Sequence, residues 1–193
     1  MGLAGPSSAA RMTRRRSKPE TIEQIGPFYG PVWITVQRDI DAASVAWRQG
    51  DYCEVLDLCR NGSYRIPSLV RECRSDCCGV PNVFPVWDFL IALAPVVLDS
   101  QSIEALRDMA LGLELPKYAV EAATALNRIQ RIRELYQSLA TLPGQFQSEL
   151  SKVFPDASFT LYAAEHFGIV RRARSGKSYS VTLAIGSLDG PLR

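Results

Sequence analysis

Residues 168–183 read GIVRRARSGKSYSVTL, and this stretch decides the fold that the sequence predicts for the carboxyl-terminal part of the chain. Apolar side chains alternate with small or polar ones in residues 178–185, at Tyr179, Val181, Leu183 and Ile185. Such alternation is typical of a strand with one buried face. Residues 169–174 are the natural antiparallel partner, and residues 175–177 form a short connection that contains glycine. The stretch therefore predicts a β-hairpin.

The tripeptide Gly176-Lys177-Ser178 matches the end of a phosphate-binding P-loop. A P-loop also needs a glycine five residues before the one that precedes the lysine, and that position is Arg171. In addition, the segment after Lys177 is predicted to be a strand, whereas a P-loop leads into a helix. The tripeptide therefore does not predict a nucleotide site.

Helices are predicted before the hairpin, over residues 117–142, 146–154 and 156–167. The first has an apolar stripe at helical spacing, formed by Tyr118, Ala122, Leu126, Ile129, Ile132, Tyr136 and Leu139. Asp156 and Ser158 are good N-cap residues for the last of these helices. Gly168 can adopt the left-handed backbone conformation that ends this helix.

The order helix, turn, helix, basic hairpin resembles the winged helix-turn-helix superfamily of DNA-binding domains. The resemblance covers residues 120–186 and is carried by the GIVRR step after a helix, the SGKS turn and the SYSVTL return strand. By this resemblance, residues 156–167 would be the recognition helix and residues 146–154 the helix before it. Residues 171–180 would then be the wing.

The resemblance implies that the protein binds duplex DNA and acts as a transcriptional regulator. A recognition helix fits the major groove, and a wing places cations on the backbone or in the minor groove. The implied phosphate contacts are Arg171, Arg172, Arg174 and Lys177. The candidate groove-facing polar groups are Ser158, Thr160, Gln145 and Gln147. Three arginines near the amino terminus would form a minor-groove arm: Arg14, Arg15 and Arg16.

Two features weigh against DNA. Residues 156–167 contain no arginine or lysine, and they include Glu165. Winged helices also act as protein-interaction modules. A helical array that ends in a winged helix is the layout of the PCI family of assembly subunits, and a predicted helical pair at residues 39–60 resembles that layout. The alternative function is therefore a helical scaffold whose winged helix binds protein.

The sequence predicts a mainly α-helical protein with three parts. Residues 1–19 carry five basic residues and no acid, which is typical of a disordered basic arm. Residues 20–116 form a helical domain, which we expect to mediate contact with a second copy or with a protein partner. Residues 117–193 form the winged helix with its leading helix. Within the helical domain, the prolines and glycines of residues 26–36 indicate a loop that leads to a strand or to a docked extended segment.

The pair of helices that follows is predicted from three- and four-residue spacing. One apolar face contains Ile40, Ala43, Ala46 and Trp47, and the other contains Tyr52, Val55, Leu56 and Cys59. Asn61-Gly62 is expected to end the second helix. Ser100 or Ser102 is expected to cap a later helix.

No motif of residues with metal-binding or catalytic spacing is evident. The five cysteines include Cys53, Cys59, Cys73 and Cys77, but no C-x-x-C pair occurs, so free or buried thiols are favoured over a zinc site. His166 is the single histidine, and no nucleophile elbow is present. We therefore expect no enzymatic activity, no metal and no cofactor. The absence of a signal-peptide core and of a long apolar segment predicts an intracellular protein without a membrane span.

Overall fold

The computed structural model describes residues 22–75, 83–139, 145–175, 178–186 and 188. Within this part of the chain, eight helices precede two strands. The elements are α1 (Ile22–Gln49), α2 (Tyr52–Ser63), α3 (Ile66–Ser75), α4 (Pro85–Leu93), α5 (Ser100–Gly112), α6 (Pro116–Ser138), α7 (Phe146–Val153), α8 (Ala157–His166), β1 (Val170–Ser175) and β2 (Ser178–Leu183). The mainly helical fold and the hairpin near the carboxyl end are thus confirmed.

The helices follow the predicted apolar faces. On α1, the side chains of Ile40, Ala43 and Ala46 are buried. On α2, the buried set is Tyr52, Val55, Leu56 and Cys59, which are the residues that helical spacing placed on one face. Burial of these stripes, rather than intrinsic helix propensity, supplies most of the stability of such helices.

Left-handed residues end four of the helical segments. Gly50 and Gly168 have φ of 76° and 68°, and the Gly168 stop is the predicted one. Leu98 and Glu114 adopt the same conformation with φ of 59° and 55°, although they carry side chains. At each site the following N–H bonds a carbonyl five residues back, as in Leu115 to Ala110 at 2.9 Å. This pattern is the Schellman motif, which reverses the chain after a helix.

A continuous hydrophobic core extends from Val36 to Val181. Helix α6 packs most extensively against α5. On α6, Tyr118 stacks on Phe84 with ring centroids 4.9 Å apart. The Tyr136 hydroxyl, fully buried, donates to the Val96 carbonyl at 3.0 Å. The boundary predicted between residues 116 and 117 therefore does not coincide with a break in the core.

One local prediction from glycine and proline is wrong. The backbone of residues 26–36 belongs to α1 rather than to a loop or an extended segment. Once the packed half of α1 has formed, each further residue extends the helix without a new nucleus. The stop predicted at Asn61-Gly62 lies one residue before the end of α2 at Ser63, and Gly62 is buried. A β-carbon there would lie 3.4 Å from the Asp39 carboxylate, so this glycine permits α1 and α2 to approach closely.

No helix of the described residues combines the length and the apolar character that a membrane span needs.

Candidate nucleic-acid interface

The hairpin has two unlike faces. In its antiparallel register, Arg172 pairs with Val181 and Arg171 pairs with Thr182. Val170 and Val181 are 1% and 5% exposed, so their face of the hairpin packs on the protein. Because side chains alternate along a strand, Arg172 lies on this inner face and Arg171 on the outer face.

Arg172 is paired with an acid of the preceding helix. Its Nε donates to Oε2 of Glu165 on α8 at 2.6 Å, and a second guanidinium nitrogen contacts the same oxygen. The side chains of Arg172 and Glu165 are 35% and 34% exposed. Two donors on one carboxylate oxygen fix the guanidinium in place. Arg172 therefore positions β1 on α8, and Glu165 offsets its positive charge toward an external phosphate.

Arg171 and Arg174 are the other hairpin arginines of the described residues, and both are exposed. Arg171 has the exposed Thr182 as its neighbour on the outer face. Arg174 lies on the same face as Arg172, because side chains alternate along a strand, and it has an interaction partner within the protein. Lys177 lies outside the described residues, as do Arg14, Arg15 and Arg16. Among the described residues, Arg171 is thus the hairpin cation on the outer face.

The predicted groove-facing groups do not share one surface. Ser158, Gln145 and Gln147 are exposed. Thr160 is 3% exposed, and its hydroxyl donates to the Asp156 carbonyl at 3.0 Å. The prediction that Thr160 faces a groove is therefore wrong, because a bond to the preceding helical turn satisfies this hydroxyl in the interior. The N-cap prediction is confirmed: the Asp156 carboxylate accepts from the Phe159 N–H at 2.8 Å.

One flank of α8 is docked on the turn between α1 and α2. Tyr162 and His166 make edge-to-face contacts with Tyr52 at centroid distances of 5.9 and 5.5 Å. Phe159 lies 5.3 Å from Trp47. The sequence pattern of α8 did not indicate this aromatic cluster, because Trp47 and Tyr52 are far from α8 in the sequence.

The charge near α8 is acidic. The helix contains no lysine or arginine. Glu165 lies on it, and the Asp51 carboxylate is 3.9 Å from Nε2 of His166. A duplex that approached α8 beside this docked flank would meet Asp51 as well as the exposed part of Tyr162. This surface is thus poorly suited to phosphates.

A polar cleft lies between α6 and α7, with a volume of about 590 Å³. Its cationic lining residues are Arg128, Arg131 and Lys152, and its acidic ones are Glu134 and Glu149. Gln145, one of the predicted polar contacts, also lines it. The cleft brings residues of two adjacent helices together, which their separate sequence patterns did not indicate.

Thiols and acids form no metal centre in the part of the chain that the structure describes. Cys59 is buried, and burial, followed by the charge of Asp39, raises the pKa of its thiol to about 12. Cys53 is exposed, and its pKa is also raised by partial burial and by Asp51 and Asp57. Both thiols therefore stay protonated near neutral pH.

Neither a family model, nor a curated protein, nor a solved structure matches this chain.

Proposed function

We propose that the protein binds double-stranded DNA through its hairpin, mainly by contacts to the phosphate backbone. The observation that carries the proposal is the exposure of Arg171 on the outer face of a hairpin that the Arg172–Glu165 pair holds against α8. An anchored hairpin holds the backbone of Arg171 in a fixed position. Guanidinium groups bind phosphate oxygens in a bidentate manner.

We do not propose that α8 contacts DNA bases. The flank of α8 that carries Tyr162 and His166 is docked on Tyr52, and Asp51 lies beside it. Major-groove recognition needs donors and acceptors that reach base edges without repelling the phosphates. We therefore propose binding with low sequence preference. Regulation of transcription would require specificity from another element, such as the predicted arm with Arg14, Arg15 and Arg16.

The test is equilibrium binding of a short, fluorescently labelled duplex of mixed sequence at low salt. The double variant R171Q/R174Q removes two phosphate contacts, so its affinity should fall about tenfold or more at low salt. R107Q on α5 controls for the loss of a single surface charge, because Arg107 is also a surface arginine but contacts its neighbour Asp108. We expect the control to bind like the wild type. Equal affinities of the double variant and the control would show that the hairpin arginines do not contact DNA.

A protein scaffold is the second candidate, and the docking of α8 supports it. The contacts of Tyr52 with Phe159, Tyr162 and His166 make the carboxyl-terminal segment an integral part of the helical array. A fixed array with a mixed-charge surface suits assembly with another protein. Complete absence of duplex binding at low salt would favour this candidate, and affinity purification with mass spectrometry would then identify stable partners.

A further inference from the structure

We propose that the cleft between α6 and α7 is a binding site for a small organic anion that carries a phosphate or carboxylate group. Its volume of about 590 Å³ lies within the usual range of small-molecule sites. Among the described residues, its lining belongs to α6, to α7 and to Gln145 just before α7, and none of it belongs to the hairpin. The proposal is therefore independent of DNA binding and would stand if the hairpin bound no duplex.

The two acids of the cleft are already engaged by neighbours on their own helices. Arg131 lies 3.4 Å from Glu134 on α6, and Lys152 lies 2.6 Å from Glu149 on α7. Each pair spans one helical turn, which is a common arrangement on exposed helix faces. Within each pair the positive and the negative charge neutralise each other. One cation of the cleft lies outside these pairs.

That cation is Arg128. Its side chain is half-buried, and its guanidinium carbon lies 6.0 Å from the centroid of the Phe154 ring. No carboxylate among the described residues forms an ion pair with Arg128. A guanidinium that rests against a ring keeps its in-plane N–H donors, and these match the geometry of an oxyanion. An unneutralised, half-buried cation in a concave site is the chemical feature that would select an anion.

The rest of the lining defines a polar ligand. The amides of Asn127 on α6 and Gln145 at the start of α7 supply both donors and acceptors. Apolar lining among the described residues is limited to Leu135 and Val153. The ligand we propose therefore has an anionic head group at Arg128 and a compact, hydrogen-bonding body.

Calorimetric titration of the full-length protein tests the site, with pyrophosphate and citrate as separate probes. Pyrophosphate represents phosphate ligands and citrate represents carboxylate ligands, so a difference between them identifies the head group. We expect saturable binding of at least one probe. R128Q should weaken that binding about tenfold or more, since charge-assisted bonds to the anion are lost. R128K keeps the charge and should weaken it less.

R171Q is the matched control, because it removes an equal charge from the hairpin. It should leave probe binding within about twofold of wild type, while R128Q should leave duplex affinity unchanged. Circular dichroism establishes that each variant is folded. The proposal is overturned if neither probe binds wild type saturably, or if R128Q and R171Q weaken binding equally. It is also overturned if R128Q weakens only duplex binding, which would assign Arg128 to the DNA interface.

Discussion

Arg172 on β1 and Glu165 on α8 form an ion pair in which Nε donates to Oε2 at 2.6 Å. The pair joins the first strand of the hairpin to the preceding helix. Because both side chains are about one-third exposed, solvent screens the attraction, and its contribution to stability is about 0.5–1 kcal/mol. Its main effect is to hold Arg172 against α8, whereas Arg171 lies on the outer face of the hairpin.

Replacement of Glu165 by glutamine should strengthen duplex binding. The change removes an acid next to the hairpin and releases Arg172 for a phosphate, so we expect affinity at low salt to rise about threefold to tenfold. Fluorescence anisotropy with the labelled duplex measures the effect. The control is E104Q, which neutralises an exposed acid on α5 and should raise affinity much less. Unchanged or weaker binding by E165Q would contradict the role assigned to the pair.

Asp99 should make the stability of the protein depend on acid pH. Burial alone would raise its pKa, but hydrogen bonds from the Ser102 hydroxyl and N–H, together with Arg60, outweigh burial and lower it. A group whose pKa is lower in the folded state stabilises the fold above its unfolded pKa, near 4, and loses that contribution as the pH falls through the folded value.

The check on Asp99 is urea unfolding at neutral pH and below about pH 4. D99N keeps an N-cap side chain for α5 but loses the ion pair with Arg60, which lies 2.7 Å away. We expect D99N to cost about 1–3 kcal/mol at neutral pH and less in acid. A cost that stays constant over this pH interval would mean that the Asp99 carboxylate does not carry the effect.

Two helix-end residues with positive φ should respond in opposite ways to substitution: one exchange should raise the free energy of unfolding and the other should lower it. Glu114 has φ of 55° at the end of α5, so E114G should stabilise the protein by about 0.5–1 kcal/mol. Gly168 has φ of 68° and open space around it, so G168A should cost about 1 kcal/mol through backbone strain alone. Chemical denaturation measures both.

Gly112 supplies the control for this pair of exchanges. It is the last residue of α5, and a β-carbon there meets nothing within 4 Å. G112A should therefore be neutral or stabilising by about 0.5–1 kcal/mol. If G168A and G112A changed the free energy of unfolding by the same amount, the backbone conformation of Gly168 would not be the cause.

Local patterns predicted the elements well where one physical signal dominated. The 3.6-residue spacing of Ile40, Ala43 and Ala46 predicted a buried helix face, and the alternation around Val181 predicted a strand with its inner side buried. Asp156 caps α8, and Gly168 ends it, as their chemistry indicated. In each case the signal lies within a few residues of the element that it forms.

Features that depend on distant parts of the chain were not predictable. Ser100 or Ser102 was expected to cap α5, whereas the cap is Asp99, which also binds Arg60 on α2. The docking of Tyr162 on Tyr52 joins two helices that are far apart in sequence. A single sequence gives no signal for such pairings, and both decide which surfaces remain open for function.

The most direct test of duplex binding is the salt dependence of the wild-type affinity. A protein that contacts phosphates releases counterions, so the logarithm of the association constant falls linearly with the logarithm of salt concentration, with a slope of about −0.9 per contact. We predict a slope of −2 or steeper, which corresponds to at least the contacts of Arg171 and Arg174. A slope near zero, or no binding at low salt, would contradict the account.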